Sequence, residues 1–343
     1  DIPGLETHWQ AMEAALEWGF PISKHRKLCR DLDQINEFLD YWDTARTGLK
    51  VATDGVVIKI NDFSLQRALG MTAKSPRWAT AYKFKAQQAA TKLLSVDSQV
   101  GRTGAVTPVA NLQPVLLSGT TVKRASLHNA DQIALHDIRL GDTVFVEKGG
   151  EIIPKVVGVD LEVRPQDTVP FHYITHCPEC GTALERDPEE AKHFCPNRWG
   201  CPPQIKGRIE HFMSRKAMNI LGGEALVDQL YSKGMVQDPS DLYDLTPDVL
   251  KSLDNWGDKS TDNLLKSIDA SRNVPFHRFL YAIGIPYVGE TTAKYLASHF
   301  GSLDNLRNAP EEVLIQAPEI EIGRTSCRER VSISVDAVSL KKK

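Results

Sequence analysis

Four of the six cysteines fall in one short stretch, Cys177-Pro178-Glu179-Cys180 followed by Cys195 and Cys201. No other feature restricts the fold as much. Two residues between Cys177 and Cys180 let both thiolates of a tight knuckle reach one ion, and a short hairpin that returns Cys195 and Cys201 completes a tetrahedron of sulfurs. Zinc accepts such a site with all four positions filled. Cys177, Cys180, Cys195 and Cys201 are therefore assigned to a structural zinc site with no open position for water. Pro178 and Gly181 suit the knuckle's backbone. A redox dithiol at Cys177 and Cys180 is the competing reading, and it leaves Cys195 and Cys201 without a role.

A length of 343 residues allows two or more domains, and 41% hydrophobic with 25% charged residues is ordinary for globular protein. The net charge of −3 gives no bulk signal for nucleic acid, so such a partner must be argued from local clusters. No apolar run is long enough to span a bilayer and no signal peptide opens the chain, so a cytoplasmic protein without a membrane partner is expected. The chain begins at Asp1 rather than Met, which fits a fragment.

Five zones follow from the pattern of elements: 1–92, 93–170, 171–204, 205–320 and 321–343. The first opens with helical periodicity over His8 to Trp18 and Leu32 to Trp42, then turns to strand at Gly55-Val56-Val57-Ile58-Lys59-Ile60. The second alternates short β-type runs with Gly, Pro and Asp turns, as in Thr143 to Glu147 and Ile152 to Val157 joined through Lys148-Gly149-Gly150. That punctuation predicts a small barrel or sandwich. The third is the cysteine cluster and the fourth is helical. The last, from about Glu321, looks like translated adapter sequence rather than protein, and is expected to be a non-native tail.

Lys59 sits inside an apolar strand. Period-two alternation puts Val57 and Lys59 on one face and Val56, Ile58 and Ile60 on the other. Ala81-Tyr82-Lys83-Phe84-Lys85 poses the same problem, with Lys83 and Lys85 opposite Tyr82 and Phe84. A buried ammonium needs an anionic partner, so two such strands can line a cleft for phosphate. Edge strands with snorkelling lysines explain the same pattern.

The helical zone repeats an apolar helix, a glycine turn and a second helix at Gly222, Gly257 and Gly289, a period of roughly 33 residues. A fourth unit starts at Leu314-Ile315-Gln316-Ala317-Pro318. Glycine lets backbone amides approach a phosphate oxygen, and the following helix adds free N–H groups and its positive dipole end. Such hairpins hold DNA by its backbone without reading sequence. Gly257, Gly284 and Gly289 are the candidate contacts, with Lys259 and Lys294 adding charge. A repeat whose glycines only permit tight packing is the alternative. Lys206, Arg208, Arg215 and Lys216 form a basic stretch, either a solvated face or further backbone contacts.

Asp54 to Lys59 resembles the fourth motif of nucleotidyltransferase-type ligases, and Ser75-Pro76-Arg77-Trp78-Ala79-Thr80-Ala81-Tyr82-Lys83-Phe84 resembles the fifth, in the form found in NAD-dependent DNA ligases of bacterial type. Val100 to Ala110 and Ser126 to Asp131 look like that family's oligonucleotide-binding barrel, and the cysteine spacing is similar to its zinc finger. The likeness runs from about Leu5 to Ile320. It implies a multidomain α+β chain: a partial nucleotidyltransferase (ATP-grasp-like) domain, an OB-fold β-barrel, a four-cysteine zinc finger and an all-α helix-hairpin-helix domain. It further implies that Lys59 and Lys83 contact the adenylate, that Arg46 lies near the nucleotide, and that Arg102 joins the hairpins in holding the duplex. NAD, Zn²⁺ and Mg²⁺ (or Mn²⁺) are the implied cofactors, and nicked double-stranded DNA is the implied partner of a monomer serving replication and repair.

In that family a lysine attacks the adenylyl phosphorus, AMP passes to the 5′ phosphate at a nick, and the 3′ hydroxyl displaces AMP. The attacking lysine lies in a Lys-x-Asp-Gly motif that this sequence does not contain. The expectation is thus a fragment lacking the N-terminal part, with no catalytic nucleophile of its own and no self-adenylation. A non-catalytic zinc-binding scaffold of repair or replication is the alternative, and it leaves the lysine strands unexplained. An ATP-dependent ligase or RNA-capping enzyme would share the Lys59 motif but not the finger followed by hairpins.

Overall fold

The computed structural model describes residues 4–51, 53–72, 75–148, 153–188, 190–286, 288–310 and 313. The Gly149-Gly150 link, Ile152, the start of the fourth repeat at Leu314 and the expected tail from Glu321 lie outside the described residues. The chain forms two compact units. The first is Asp1–Val96, Ala110–Leu127 and His136–Phe171, and the second is Asp97–Val109, His128–Leu135 and the chain from His172 onward.

The first unit opens with α1 (His8–Glu17) and α2 (Leu32–Ala45). Thr7 starts α1 with a capping box, its hydroxyl accepting from the Gln10 amide while the Gln10 side chain accepts from the Thr7 amide. Asp31 caps α2 through the Gln34 amide at 2.9 Å. After the 3₁₀ turn Arg46–Gly48 come β1 (Gly55–Lys59), α3 (Phe63–Leu69) and β2 (Ala79–Lys83). β1 and β2 pair antiparallel as a two-stranded ribbon, with Gly55 opposite Lys83 and Lys59 opposite Ala79.

The barrel strands are β3 (Gln88–Val100), β4 (Ala105–Leu117) and β5 (Thr120–Ser126), then α4 (Ala130–Leu135), β6 (Thr143–Glu147) and β7 (Lys155–Val159). Their order is β3-β6-β7-β5-β4, and a β3–β4 pairing closes it. Alternation along the strands fills the interior: Ala110 and Leu112 on β4 are buried, and Val144 and Val146 on β6 are fully so. Asp142 is also fully buried, and accepts from Arg164 Nε and Nη2, both at 2.9 Å, and from the Arg139 amide at 2.8 Å. A buried carboxylate is tolerable only with such pairing. The strand expected from Ile152 begins at Lys155, because Pro154 has no N–H for the ladder; its carbonyl accepts from Ser126 instead.

The second unit holds the cysteine hairpin with β8 (His193–Phe194), which pairs with the start of β4. Among the described residues seven α-helices follow: α5 (Pro202–Met213), α6 (Glu224–Ser232), α7 (Pro247–Lys251), α8 (Asp258–Ser271), α9 (Phe276–Ile283), α10 (Glu290–Phe300) and α11 (Leu303–Asn308), with a 3₁₀ turn at Pro239–Asp244. One core gathers Ile209, Leu230, Leu242, Leu250 and Leu264, and a second gathers Leu280, Ala293, Leu296 and Leu306. Each fully buried Leu contributes about 1.5–3 kcal/mol, which is why these short helices hold. Among the described residues no helix is long and apolar enough to cross a membrane.

Candidate functional site

The metal centre is built by two turns. Gly181, at φ +71°, closes the first knuckle, with its amide donating to the Cys177 carbonyl at 2.9 Å. The second runs from β8 through Cys195 to Cys201, which stands immediately before α5 with Pro202 in its first turn. Gly104 admits this turn: a side chain there would strike the Cys195 carbonyl oxygen at 2.6 Å. The four Sγ atoms lie within 4.8 Å of one another, Cys177 to Cys201 at 3.9 Å and Cys180 to Cys195 at 3.5 Å. Tetrahedral zinc with bonds of about 2.3 Å sets sulfurs about 3.8 Å apart, so the donors fit the ion. Cys177, Cys195 and Cys201 are buried. Burial pushes the Cys195 thiol up to about 11 and raises Cys201 as well, a penalty on thiolates that a divalent cation removes.

An element the sequence reading passed over braces this finger. Arg186 makes two parallel bonds to Asp131 on α4, at 2.9 and 2.7 Å. Such fork-to-carboxylate geometry gives orientation as well as energy. Asp131 ends the Ser126 to Asp131 stretch, and the fold gives it a mechanical role through Arg186.

On the β1–β2 ribbon, the register places Lys59 and Lys83 on the same face, as directly opposed residues share a face and Lys59 lies an even step from Gly55. Along the ribbon they are four residues apart, about 14 Å at about 3.4 Å per residue. Val57 between them is 61% exposed, so among the described residues no second wall covers this row. Gly55 is required by close approach, since any side chain would run into the Tyr82 carbonyl oxygen. Lys83 pairs with Asp54 at 2.5 Å, and that hydrogen bond, ahead of the charge itself, holds the Asp54 carboxyl below the usual range. Lys59 Nζ lies 3.3 Å from His8 Nε2. Burial first, and Lys59 second, lower the His8 pKa, which keeps the ring neutral and able to accept.

Arg46 is committed to the scaffold. Its Nε donates to the Asp43 carbonyl, Nη1 to Thr53 and Nη2 to Lys85, and its guanidinium lies 4.5 Å from the Phe84 ring centre. It fastens the strand ends that carry Asp54 and Lys83.

In the second unit, α6, α8 and α10 each follow an extended glycine, Gly223, Gly257 and Gly289, and none has a side-chain cap. A Cβ at any of the three would meet nothing within 4 Å. Among the described residues, the first-turn amides of α8 and α10 are thus left for an external acceptor, as are those of α6 apart from Leu226, whose amide donates to the Gly223 carbonyl at 3.0 Å. Gly223 was missed because Gly222 marked the first repeat. Gly284 ends α9 in the left-handed region at φ +70°, and a side chain there would press the Arg102 guanidinium at 3.0 Å. Arg102 lies in the β3–β4 turn against Gly207, and burial lowers its pKa. Beside it, His211 donates from Nε2 to the Tyr281 carbonyl at 2.8 Å, and burial lowers its pKa. The same groove carries Glu210, Glu224 and Asp228, so its charge is mixed.

Lys259 lies exposed in the first turn of α8, whereas Lys294 shares Glu290 with Lys216, at 3.0 and 3.1 Å. Lys206 is paired with Asp228 at 2.7 Å and Arg208 lies over Trp199, so the basic stretch offers less free charge than its composition suggests.

A lysine-bearing ribbon, a closed barrel, a four-thiolate finger and glycine-led hairpins together define a modular chain of the nucleotidyltransferase type. The NAD-dependent DNA ligase adenylation domain matches residues 2–87, the OB-fold domain of that family 90–168 and its C4 zinc finger domain 176–202, and a helix-hairpin-helix motif matches 278–324. The chain is 55% identical to a DNA ligase of Bacteroides fragilis over 314 residues, 91% of this chain and 47% of the relative. It is 54% identical to one of Flavobacterium psychrophilum over 318 residues, 92% of this chain and 48% of the relative. The chain belongs to the NAD-dependent DNA ligase family, and spans about half the length of the curated relatives it matches.

Proposed function

We propose that this chain is the nick-engaging portion of an NAD-dependent DNA ligase, a cytoplasmic monomer that seals single-strand breaks in duplex DNA during replication and repair. The observation that carries the reading is the shared face of Lys59 and Lys83, in a chain that also presents three uncapped helix starts. Each step of sealing is an in-line attack at phosphorus, so catalysis comes from positioning and from cations facing the charge that develops on oxygen. Lys59 and Lys83 supply those cations along the adenylate. Asp54 and His8 hold the two ammonium groups in place, and Arg46 fixes the strand ends beneath them. Mg²⁺ would share the charge neutralisation when bound. Arg102 and the amides beginning at Gly257 and Gly289, with Gly284 shaping the third hairpin and Lys259 and Lys294 beside them, take DNA phosphates. Zinc at Cys177, Cys180, Cys195 and Cys201 keeps the finger folded and performs no chemistry.

The test is a chimera in which residues 4–310 replace the matching span of the Bacteroides fragilis enzyme. Sealing of a nicked duplex should require NAD, ATP should not substitute, and Lys59→Ala or Lys83→Ala should abolish the activity. Sealing that survives both substitutions would refute the assignment. The chain by itself, incubated with adenylate-labelled NAD, should take up no covalent label because its sequence offers no Lys-x-Asp-Gly.

A further inference from the structure

The turn between Cys195 and Cys201 carries a feature that neither zinc binding nor phosphate binding uses. Trp199 is 58% exposed at its tip, an unusual place for the largest apolar side chain. The turn is held stiffly: the Asn197 side chain accepts from the Gly200 amide at 3.0 Å, the Asn197 carbonyl accepts from the Cys201 amide at 3.1 Å, and Gln204 Nε2 donates to the Cys195 carbonyl at 3.0 Å. The Arg208 guanidinium, on α5, lies over the indole at 4.1 Å from its ring centre. Arg208 Nε is buried with no hydrogen-bond partner among the described residues. Asp238 and Arg198 also act electrostatically on Arg208, with opposite signs.

With one face covered by a cation and more than half of its surface open, a rigidly held indole offers a flat apolar face flanked by arginine. Any unpaired nucleobase has a π-face to lay on such a surface, whereas the bases of an intact duplex are already stacked. We propose that Trp199, backed by Arg208 and flanked by Arg198, is a stacking platform for an unpaired DNA base. It would let the finger favour DNA with a frayed or single-stranded nucleotide over fully paired duplex. This rests on the reading that the chain binds DNA, and goes beyond it by assigning a base contact to a region otherwise limited to holding zinc.

The experiment uses the zinc-loaded chain, a labelled blunt duplex, and the same duplex carrying a single-stranded tail that contains 2-aminopurine. The chain should bind the tailed duplex about fivefold more tightly than the blunt one and quench the 2-aminopurine. Trp199→Ala should abolish both the preference and the quenching while leaving affinity for the blunt duplex unchanged. Trp199→Phe, which keeps a smaller aromatic face, should retain part of each, and stoichiometric zinc in both variants marks an intact finger. A preference that survives Trp199→Ala, or an equal loss of affinity for both DNAs in the two variants, overturns the platform. Binding of the blunt duplex with no preference in the unaltered chain removes the platform alone, and binding of neither DNA removes the DNA reading with it.

Discussion

The ribbon that carries Lys59 and Lys83 and the hairpins that carry Gly257 and Gly289 are built on opposite principles. Among the described residues of 4–87 the buried hydrophobic side chains are Leu39 and Phe84, while Trp18, Phe20, Tyr41, Val57 and Tyr82 stand exposed. The order there comes from backbone pairing, helix caps and the reach of Arg46 between segments. The helical region buries Leu230, Leu242, Leu250 and Leu280 completely. A chain can therefore present a binding face either as an open strand surface, tuned by a few polar contacts, or as helix ends fixed by a deep core. Substitutions of the same kind should separate the two.

The largest effect is expected between them, at the zinc. Ligation and folding are one process in such fingers, with apparent metal-binding free energies of about 10–16 kcal/mol in isolated zinc-finger peptides. Chelation, or Cys201→Ser, should strip hydrogen-exchange protection from residues 176–201 and from the first turn of α5, which Cys201 precedes. Protection in α8 should persist because its core is separate from the thiolates. Unchanged protection around Cys195 after metal removal would defeat the four-thiolate assignment.

Next in size is the contrast of the two scaffolds. Leu264→Ala, at 1% exposure, should cost about 2–5 kcal/mol in denaturant unfolding. Val57→Ala, at 61% exposure, should stay within about 0.5 kcal/mol. Comparable losses at the two positions would show that the ribbon face is covered, and the comparison would fail.

A subtler change separates stability from function on the helical side. Gly257 has the extended backbone of a helix N-cap, with open space where a side chain would go. Gly257→Asp should raise stability by a few tenths of a kcal/mol by accepting from the free amides. It should weaken duplex DNA binding by about tenfold, since the carboxylate takes the amides and repels phosphate. Stability and affinity rising together would sink the phosphate assignment for that helix.

How much of this was legible beforehand differs between the same regions. The finger was readable because metal geometry converts directly into cysteine spacing, and the hairpin glycines because a turn repeated at a fixed period leaves a sequence mark. The alternation in β1 correctly put Val57 and Lys59 on one face, but nothing local to either strand could give the cross-strand register that sets Lys83 opposite Gly55. Arg46 was legible as an arginine near the nucleotide motifs. Its bond to the Lys85 carbonyl, 39 positions away, is long-range and was not. The same holds for Asp131 with Arg186, and for His8, which lies 51 positions from the lysine it contacts.

His8 supplies the smallest effect and the sharpest probe of the open ribbon. The α1 start is tied to the end of β1 by the His8 amide donating to the Asn61 carbonyl at 2.7 Å and the Trp9 amide to the Asn61 side chain at 2.9 Å. This tether brings the imidazole to Lys59. Burial disfavours the imidazolium, and Lys59 repels it where a neutral ring would accept from the ammonium, so folding lowers the His8 pKa. The unfolded chain then binds this proton more readily, and the site's contribution to stability is complete above the ordinary value of 6.5 and declines as pH falls through it. An NMR titration should find the His8 midpoint below 6.5, and Lys59→Met should raise it only part of the way, because burial is the larger cause. A midpoint that Lys59→Met leaves in place would mean that the ammonium does not face the ring, and Lys59 would then be free to swing away from the row it shares with Lys83.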